Sequence, residues 1–565
     1  MCDRGSNDAF GFRRSGLAAS VFSACLLMFA GEAWSFEVQT DNPDIAMRFD
    51  NTVRANAAWR VGSRKSNRAN NPAWDESDSL FDSGALISKR LDLLTEFDFT
   101  YRKNYGFRIS SSLWYDGAYG SKSKSNPKLP GANYTNNDFT PYVKRYYHGP
   151  SGEFLDSFVW GNFKVGETDL AVKFGRHALL WGEAVFGTAS GNSVAFDMAP
   201  SDGQKQAISP GANAKELTLP IHQLTGTWQL TSNFSVSGLY TYEWRPSRLP
   251  EGGTYFGIAD AILIGPNWAN RSGNGVPGGN IPRVDLIKGD SGDKGVALKW
   301  RPDFMQDGNF GLYARRFANK TPIWAANTFL APGPKSRAVF ANDVSLWGLS
   351  FGSTIWANAV GAEISHRHNT PLNMNPGSVT SAARGFEGPR GDTWHGLVNT
   401  TTLFNKTDYW TSASLVLELT YQKLDKITSN PQFYKSFQTT PAACTVDRIV
   451  KGCASNEAYH LAVLFSPVWA QVFPQTDLTG QVVYQTGLKG NAPTTGIVEG
   501  GTVFSSSISA NYANVNIVTL AYTNYWGKTR SFGATSLAGP FVTANGAPAV
   551  YGDRANVSLT YTRTF

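Results

Sequence analysis

The sequence predicts an all-β fold: a transmembrane antiparallel β-barrel of about 18 strands, with about 16 as the alternative count. Three observations carry this. Long stretches alternate apolar and polar residues with a period of two, the pattern of a strand between lipid and a wet lumen. Short turns alternate with long Gly/Pro/Ser/Asn-rich segments, the outer-membrane arrangement of short periplasmic turns and long external loops. The last ten residues form an alternating strand that ends on an aromatic, Phe565.

In that last strand Val557, Leu559, Tyr561 and Phe565 share one face, and Ser558, Thr560, Thr562 and Thr564 share the other. A soluble chain usually frays at its terminus. A barrel must instead pair its last strand with its first, with an aromatic at the lipid interface. The stretch also resembles the signal by which the outer-membrane barrel assembly machinery recognises its clients, with Tyr561 and Phe565 as the residues expected to carry it.

At the other end, Arg13 and Arg14 precede an apolar run over 17–30, and Ala33-Trp34-Ser35 suits signal-peptidase cleavage before Phe36. Cleavage after Ala33 is the alternative. The run is too short for a membrane helix. Cys25 lies inside it, so lipidation is not expected. Residues 1–35 therefore read as a signal peptide for the general secretory route and residues 36–565 as one barrel domain, which places the mature protein in the outer membrane of a Gram-negative bacterium.

Composition agrees. Hydrophobic residues make up 41% and mean hydropathy is -0.27, which excludes a helical membrane protein. Aromatics at 13% and 56 glycines suit interfacial girdles and glycine-rich loops. The formal charge of +7 forms no basic stripe, so nucleic acid is not an expected partner. The excess would favour anions if it faces a pore. No short-period repeat suggests a propeller or β-helix.

The strands follow in order. Phe49, Val53, Ala55, Ala57, Trp59 and Val61 share a face opposite Arg48, Asp50, Thr52, Arg54, Asn56 and Arg60. Next, Leu91, Leu93, Phe97, Phe99 and Tyr101 oppose Arg90, Asp92, Glu96 and Asp98. Residues 107–115 alternate again, as do 410–422, where Ala413, Leu415, Leu417, Leu419 and Tyr421 oppose Ser412, Ser414, Glu418 and Thr420. So many charges on one face suit a wet lumen. Arg48, Asp50, Arg54, Arg60, Arg90, Asp92, Glu96 and Asp98 are the expected lumen-facing and selectivity residues: paired, they stiffen the wall; unpaired, they set ion preference. Tight turns are expected at 103–104, 166–167, 232–233, 303–308, 352–353, 405–408 and 513–514. Long segments are expected at 62–85, 119–149, 179–220, 246–289, 320–340, 366–391, 428–456, 488–498 and 528–552.

Phe174-Gly175-Arg176-His177, Trp181-Gly182-Glu183, Pro210-Gly211-Ala212, Lys215-Glu216, Pro220 and Tyr242-Glu243-Trp244 resemble the pattern of the Gram-negative family of domain-of-unknown-function 1302. Phe49-Asp50-Asn51-Thr52-Val53 and Leu91-Asp92-Leu93 are similar to it too. The resemblance covers essentially the whole mature chain. It implies an outer-membrane barrel, often encoded beside a periplasmic lipid-carrier-like protein and a large inner-membrane exporter. It implies no firmly established activity. One departure is His177, where the family pattern has Gln.

Other motifs carry less. Cys444 and Cys453 lie in one long loop, and an oxidising compartment favours a disulfide between them. His366-Arg367-His368 makes a weak metal pair, since no further ligand follows at a recognised spacing, and a solvated loop mouth is the expected setting. Gly273, Gly275 and Gly278 match a dinucleotide fingerprint in letters alone, without the required strand and helix. No G-x-S-x-G occurs, and the seven His are scattered. His148, His177 or His222 could join Asp156 or Asp169 in space, but nothing selects them. No cofactor or metal is expected.

The expected function is an outer-membrane channel that passes small or hydrophobic molecules, in concert with an export or uptake system. The alternatives are a lipase- or protease-like barrel enzyme and a surface receptor or adhesin. Residues 179–220 are expected to fold inward and narrow the pore, with His177, Trp181, Glu183, Lys215 and Glu216 as constriction residues. Their apolar side chains, Leu180, Val185, Phe186 and Phe196 among them, would be costly to leave in water. Glu183, Asp197, Asp202, Lys205, Lys215 and Glu216 are expected to face Arg54, Arg60, Arg90 and Asp92. Oligomeric state is left open.

Overall fold

The structure, a computed structural model, describes residues 36–38, 40–186, 191–270, 281–305, 307–322, 336–374, 387–437, 444–494 and 496–565. The expected signal peptide and the three glycines of the fingerprint-like motif, residues 273, 275 and 278, lie outside them.

Eighteen strands form one closed antiparallel barrel, the larger of the two expected counts. They are β1 (Ile45–Arg60), β2 (Leu86–Tyr101), β3 (Tyr105–Asp116), β4 (Ser151–Val165), β5 (Thr168–His177) and β6 (Ile221–Gln229). Next come β7 (Phe234–Thr241), β8 (Lys294–Trp300), β9 (Asn309–Phe317), β10 (Val344–Ile355), β11 (Asn358–Pro371) and β12 (Arg390–Phe404). The last six are β13 (Ser412–Ser429), β14 (Glu457–Phe473), β15 (Thr476–Lys489), β16 (Thr502–Tyr512), β17 (Asn516–Trp526) and β18 (Asn556–Thr564). Each strand pairs with its sequence neighbours, and β18 closes on β1 from Thr52↔Thr564 to Arg60↔Asn556. Phe565 and Asn51 exchange backbone hydrogen bonds of 2.9 and 2.7 Å beyond that register. A short N-terminal strand, Phe36–Val38, then pairs with Met47 to Phe49 on the same edge, so the seam continues past the C-terminus. An even strand number leaves both chain ends on the side of the short turns.

The period-2 faces fall as the alternation requires. Ala55 pairs with Tyr561 and Ala57 with Leu559 on the outside, where Phe154, Trp347, Val398, Leu419 and Leu520 are exposed. Tyr101, Tyr105, Phe163, Trp228 and Trp300 lie toward the turn end and Trp59, Tyr240, Trp394, Tyr459 and Trp526 toward the loop end. These are the two aromatic girdles of a membrane barrel.

Two expected connections differ. No turn occurs at 352–353, because β10 runs through Gly352 to Ile355 and turns at Trp356-Ala357, both with positive φ. Gly352 serves packing: a Cβ there would lie 3.1 Å from the Glu183 carboxylate. Residues 366–371, expected as loop, continue β11. An additional two-residue turn joins β14 to β15 at Pro474-Gln475.

The long connections fold over and into the barrel. Trp74, Tyr119, Tyr134, Tyr147, Tyr255 and Tyr551, from four different connections, pack on Ala58 and Ile87 of the wall. Tyrosine suits this cap because its ring can be buried while its hydroxyl reaches a partner, as those of Tyr119, Tyr134, Tyr147 and Tyr551 do. The Tyr147 hydroxyl accepts from the Glu251 backbone N–H at 3.0 Å.

Candidate functional site

The described parts of the connection between β5 and β6, residues 178–186 and 191–220, lie inside the barrel and are held by its walls. A backbone inside a barrel has no ladder partner, so its N–H and C=O groups need side chains. Wall carboxylates supply the acceptors. Glu363 of β11 accepts from the backbone N–H of Glu183, Ala184 (3.0 Å) and Val194 (2.8 Å). Glu418 of β13 accepts from Val185 (2.8 Å) and Phe186 (3.0 Å). Wall guanidiniums supply the donors. Arg315 of β9 donates to the carbonyls of Val194 (2.8 Å) and Phe196 (2.9 Å), and Arg367 of β11 to Ser193 (2.8 Å).

This explains the Trp181-Gly182-Glu183 motif. Gly182 has φ +99°, and a Cβ there would sit 2.3 Å from the Glu363 carboxylate. Only glycine permits both. Beside it Trp181 packs with Val194, Met198 and Tyr313 against β8–β10.

The segment's second half is anchored across the barrel on β1–β3. A short helix, Gly203–Ile208, starts at Asp202, whose side chain accepts from Lys205 N–H. A second, Ala214–Leu217, starts with a capping box between Asn213 and Glu216. These caps aim two side chains at the wall. Glu216 accepts from Arg54 at 2.7 and 3.1 Å. Lys205 donates to Glu216 at 2.6 Å and to Ser112 at 2.8 Å. Burial would raise the Glu216 carboxyl, yet Arg54 and Lys205 hold it at about 2. Lys215 reaches Glu96.

The expected partners are therefore met in part. Arg54 takes Glu216 and Asp92 takes Lys205 at 3.8 Å. Arg60 instead bonds Asp78 (3.1 Å) and Asp553 (3.3 Å) in other loops. Arg90 bonds Asp92 on its own strand at 3.0 Å. Asp202 meets Arg248 at 2.8 Å, and Asp197 accepts from Lys320 N–H at 2.7 Å. Glu183 lies beside Gly352 and Gly361, and burial pushes its carboxyl up. Arg54, Arg60, Arg90, Asp92 and Glu96 are all buried and paired. Only the turn-end groups stay more open: Arg48–Asp50 at 2.7 Å and Asp98–Arg108 at 2.6 Å.

His177 ends β5, facing inward. Its Nδ1–H donates to Gly175 O (3.1 Å), which leaves Nε2 to accept from Thr225 Oγ1 (2.9 Å). The Tyr242-Glu243-Trp244 motif ties back to the same strand ends, with Glu243 bonding Arg176 (3.1 Å) and His222 Nδ1 (2.9 Å). Cys444 and Cys453 are disulfide-bonded, Cα–Cα 6.1 Å. The Tyr561 hydroxyl donates to Asn516 at 2.8 Å. His366 and His368 stand on β11, not in a loop. His368 bonds Asp392 at 2.7 Å and His366 lies 3.8 Å from Asp425. The spacing along the chain missed these acids because they come from β12 and β13.

Among the described residues, the wall of β15–β17 is the least covered. Inward-facing Ser505, Ser507 and Ser509 of β16 and Thr519 and Thr523 of β17 are half-exposed, and Gln481 of β15 is exposed. Their hydroxyls pair across strands, Ser509 with Thr519 at 2.8 Å and Ser505 with Thr523 at 3.3 Å. The lumen thus has one packed side and one wet, neutral side.

The profile of a protein family described as "Protein of unknown function (DUF1302)" matches residues 16–565. No curated protein matches. Among solved structures, the chain is similar to OccAB1 of Acinetobacter baumannii at 9% identity and TM-score 0.41, over 92% of this chain and 96% of that one. It is similar to a BenF-like porin from Pseudomonas fluorescens Pf-5 at 10% identity and TM-score 0.40, over 92% and 98%. OccK9 (OpdG) of Pseudomonas aeruginosa matches at 10% identity and TM-score 0.38, over 92% and 98%.

Proposed function

From the premise that the chain belongs to the DUF1302 family of proteins of unknown function, we propose that it is an outer-membrane channel. Its passage runs between the described parts of the inward segment, 178–186 and 191–220, and the Ser/Thr/Gln-rich wall of β15–β17. The single observation that carries this reading is the unequal cover of the lumen. Inward faces of β1–β3 and β9–β13 are buried under the segment and the loops, whereas among the described residues Gln481, Ser505, Ser507, Ser509, Thr519 and Thr523 of β15–β17 stay open to water, with Tyr525 at the loop end packed on the cap. A barrel that served only as a scaffold for a surface receptor has no use for an ordered segment bonded to both walls and an uncovered hydroxyl face. Hydroxyls of this kind suit small, weakly polar solutes, while apolar residues of the segment, Val185 and Leu180 among them, remain exposed and would line the other side for hydrophobic ones.

The buried charges of β1 and β2 act in this reading as anchors. Ion preference falls to the turn-end groups Arg48, Asp50 and Asp98. The secretory route, read from the N-terminal segment, the barrel assembly machinery, read from the last strand, and a periplasmic lipid-carrier-like partner with an inner-membrane exporter, implied by the family resemblance, belong to the same proposal. Planar-bilayer recording tests it: the purified barrel should give discrete conductance steps. A correctly folded barrel that never conducts would favour a closed enzyme or receptor.

A further inference from the structure

Two buried arginines of the lumen wall, Arg315 and Arg367, form no ion pair among the described residues, and of the two only Arg367 has an unpartnered Nε–H. It is 1% exposed, yet it forms no ion pair among the described residues, whereas Arg54, Arg60 and Arg248 each bond carboxylates. The internal stretches outside the description contain no Asp or Glu. Its Nη2 donates to Ser193 O, and its Nε–H has no partner among the described residues. Three residues along the same strand, the Thr370 hydroxyl is likewise buried and, among the described residues, unpartnered. Both side chains line one partly enclosed cleft of about 30 Å³ with Phe196, Pro322, Leu372 and Asn319. The Phe196 ring lies under the guanidinium at 4.4 Å and holds it in place. The nearby acids are engaged elsewhere: Asp197 by Lys320 N–H, Glu363 by the backbone of the inward segment.

A buried guanidinium with no carboxylate in contact is costly, and buried polar atoms without partners point to a missing one. The geometry points to a binding site for a carboxylate at the end of an apolar molecule. Nε–H of Arg367 and the Thr370 hydroxyl would donate to the two carboxylate oxygens. The cleft, about 30 Å³, would take the carboxylate group, with the tail leaving through its open side. Phe196, Pro322 and Leu372 would meet the first carbons of the tail. Arginine suits a planar carboxylate better than lysine does, because its donors are fixed in one plane. That this site is a station for cargo rests on the channel reading; that it binds does not.

The test uses the full-length barrel in detergent micelles, with binding of 4-phenylbutyrate, of 4-phenylbutyramide and of inorganic phosphate followed by calorimetry. The carboxylate should bind at least ten-fold more tightly than the amide. Arg367→Met should abolish that preference. Because Arg367 also holds Ser193, Thr370→Val, which breaks no bond in the fold, supplies a second reading and should weaken the carboxylate about three- to five-fold. Equal binding of carboxylate and amide, or phosphate displacing the carboxylate at equal concentration, would overturn the assignment. So would unchanged affinity in Thr370→Val together with unchanged or unmeasurable preference in Arg367→Met. Conductance of the same preparation is read separately: a conducting barrel without binding removes the site, and binding without conductance removes the channel.

Discussion

Replacing Glu363 with alanine should free the first half of the inward segment. The carboxylate is 5% exposed and accepts three backbone N–H groups, from Glu183, Ala184 and Val194. Each buried donor left unpaired costs about 1–3 kcal/mol. Three such losses, partly offset by water entering the released site, leave a net loss of about 3 kcal/mol. An opening equilibrium shifted by that amount changes roughly 100-fold. The readout is amide hydrogen exchange of Ala184 and Val194, which should accelerate by about that factor, while amides of β13 and β18 stay protected. In bilayers the same variant should show larger and noisier conductance steps. Glu363→Gln keeps one acceptor and should lie between the two. An assembled Glu363→Ala barrel with unchanged exchange at both amides would refute the clamp.

Three further outcomes follow from other parts of the fold. Removing Phe565, or changing Tyr561 and Phe565 together to alanine, should leave unassembled protein in the periplasm; a normal heat-modifiable barrel would contradict that role. Arg54→Met, which leaves Glu216 buried beside Lys205 alone, should cost about 3–5 kcal/mol in denaturant unfolding, and the double change with Glu216→Met should recover part of it; equal losses would argue against the pair as the anchor. Glu251 in the cap accepts from Ile264 and Gly265 N–H, and burial pushes its carboxyl from 4.5 up to about 7. The folded cap therefore keeps a proton that the unfolded chain releases, so its stability is full below about pH 4.5 and falls as pH rises to about 7, by about 3 kcal/mol. Limited proteolysis of the cap should be faster at pH 8 than at pH 5, and Glu251→Gln should flatten the difference.

The barrel is legible in the chain because lipid and water impose it residue by residue. Alternation in β1, β2, β13 and β18 assigns inside and outside correctly, since a one-residue error would put Arg54 or Glu418 into lipid. Turn positions are less secure: Gly352 reads as a turn but serves a close approach, and Trp356-Ala357 turns without any turn residue. The inward charges of β1 and β2 are visible as a ladder, yet whether they face ions or anchor loops depends on what lies opposite them. Here Glu216 follows Arg54 by 162 positions, and no local pattern encodes that pairing. Glu363 and Arg315 carry no motif at all, Glu418 shows only its place on the alternating face of β13, and Arg367 only its place between two histidines. Their only trace is a charge at an inward position, and it becomes a clamp or an open site only when the segment from another part of the chain folds against the wall. Strand character is set by neighbours one and two residues away; the path through the lumen is set by contacts between elements far apart in the chain, which closure of the barrel alone brings together.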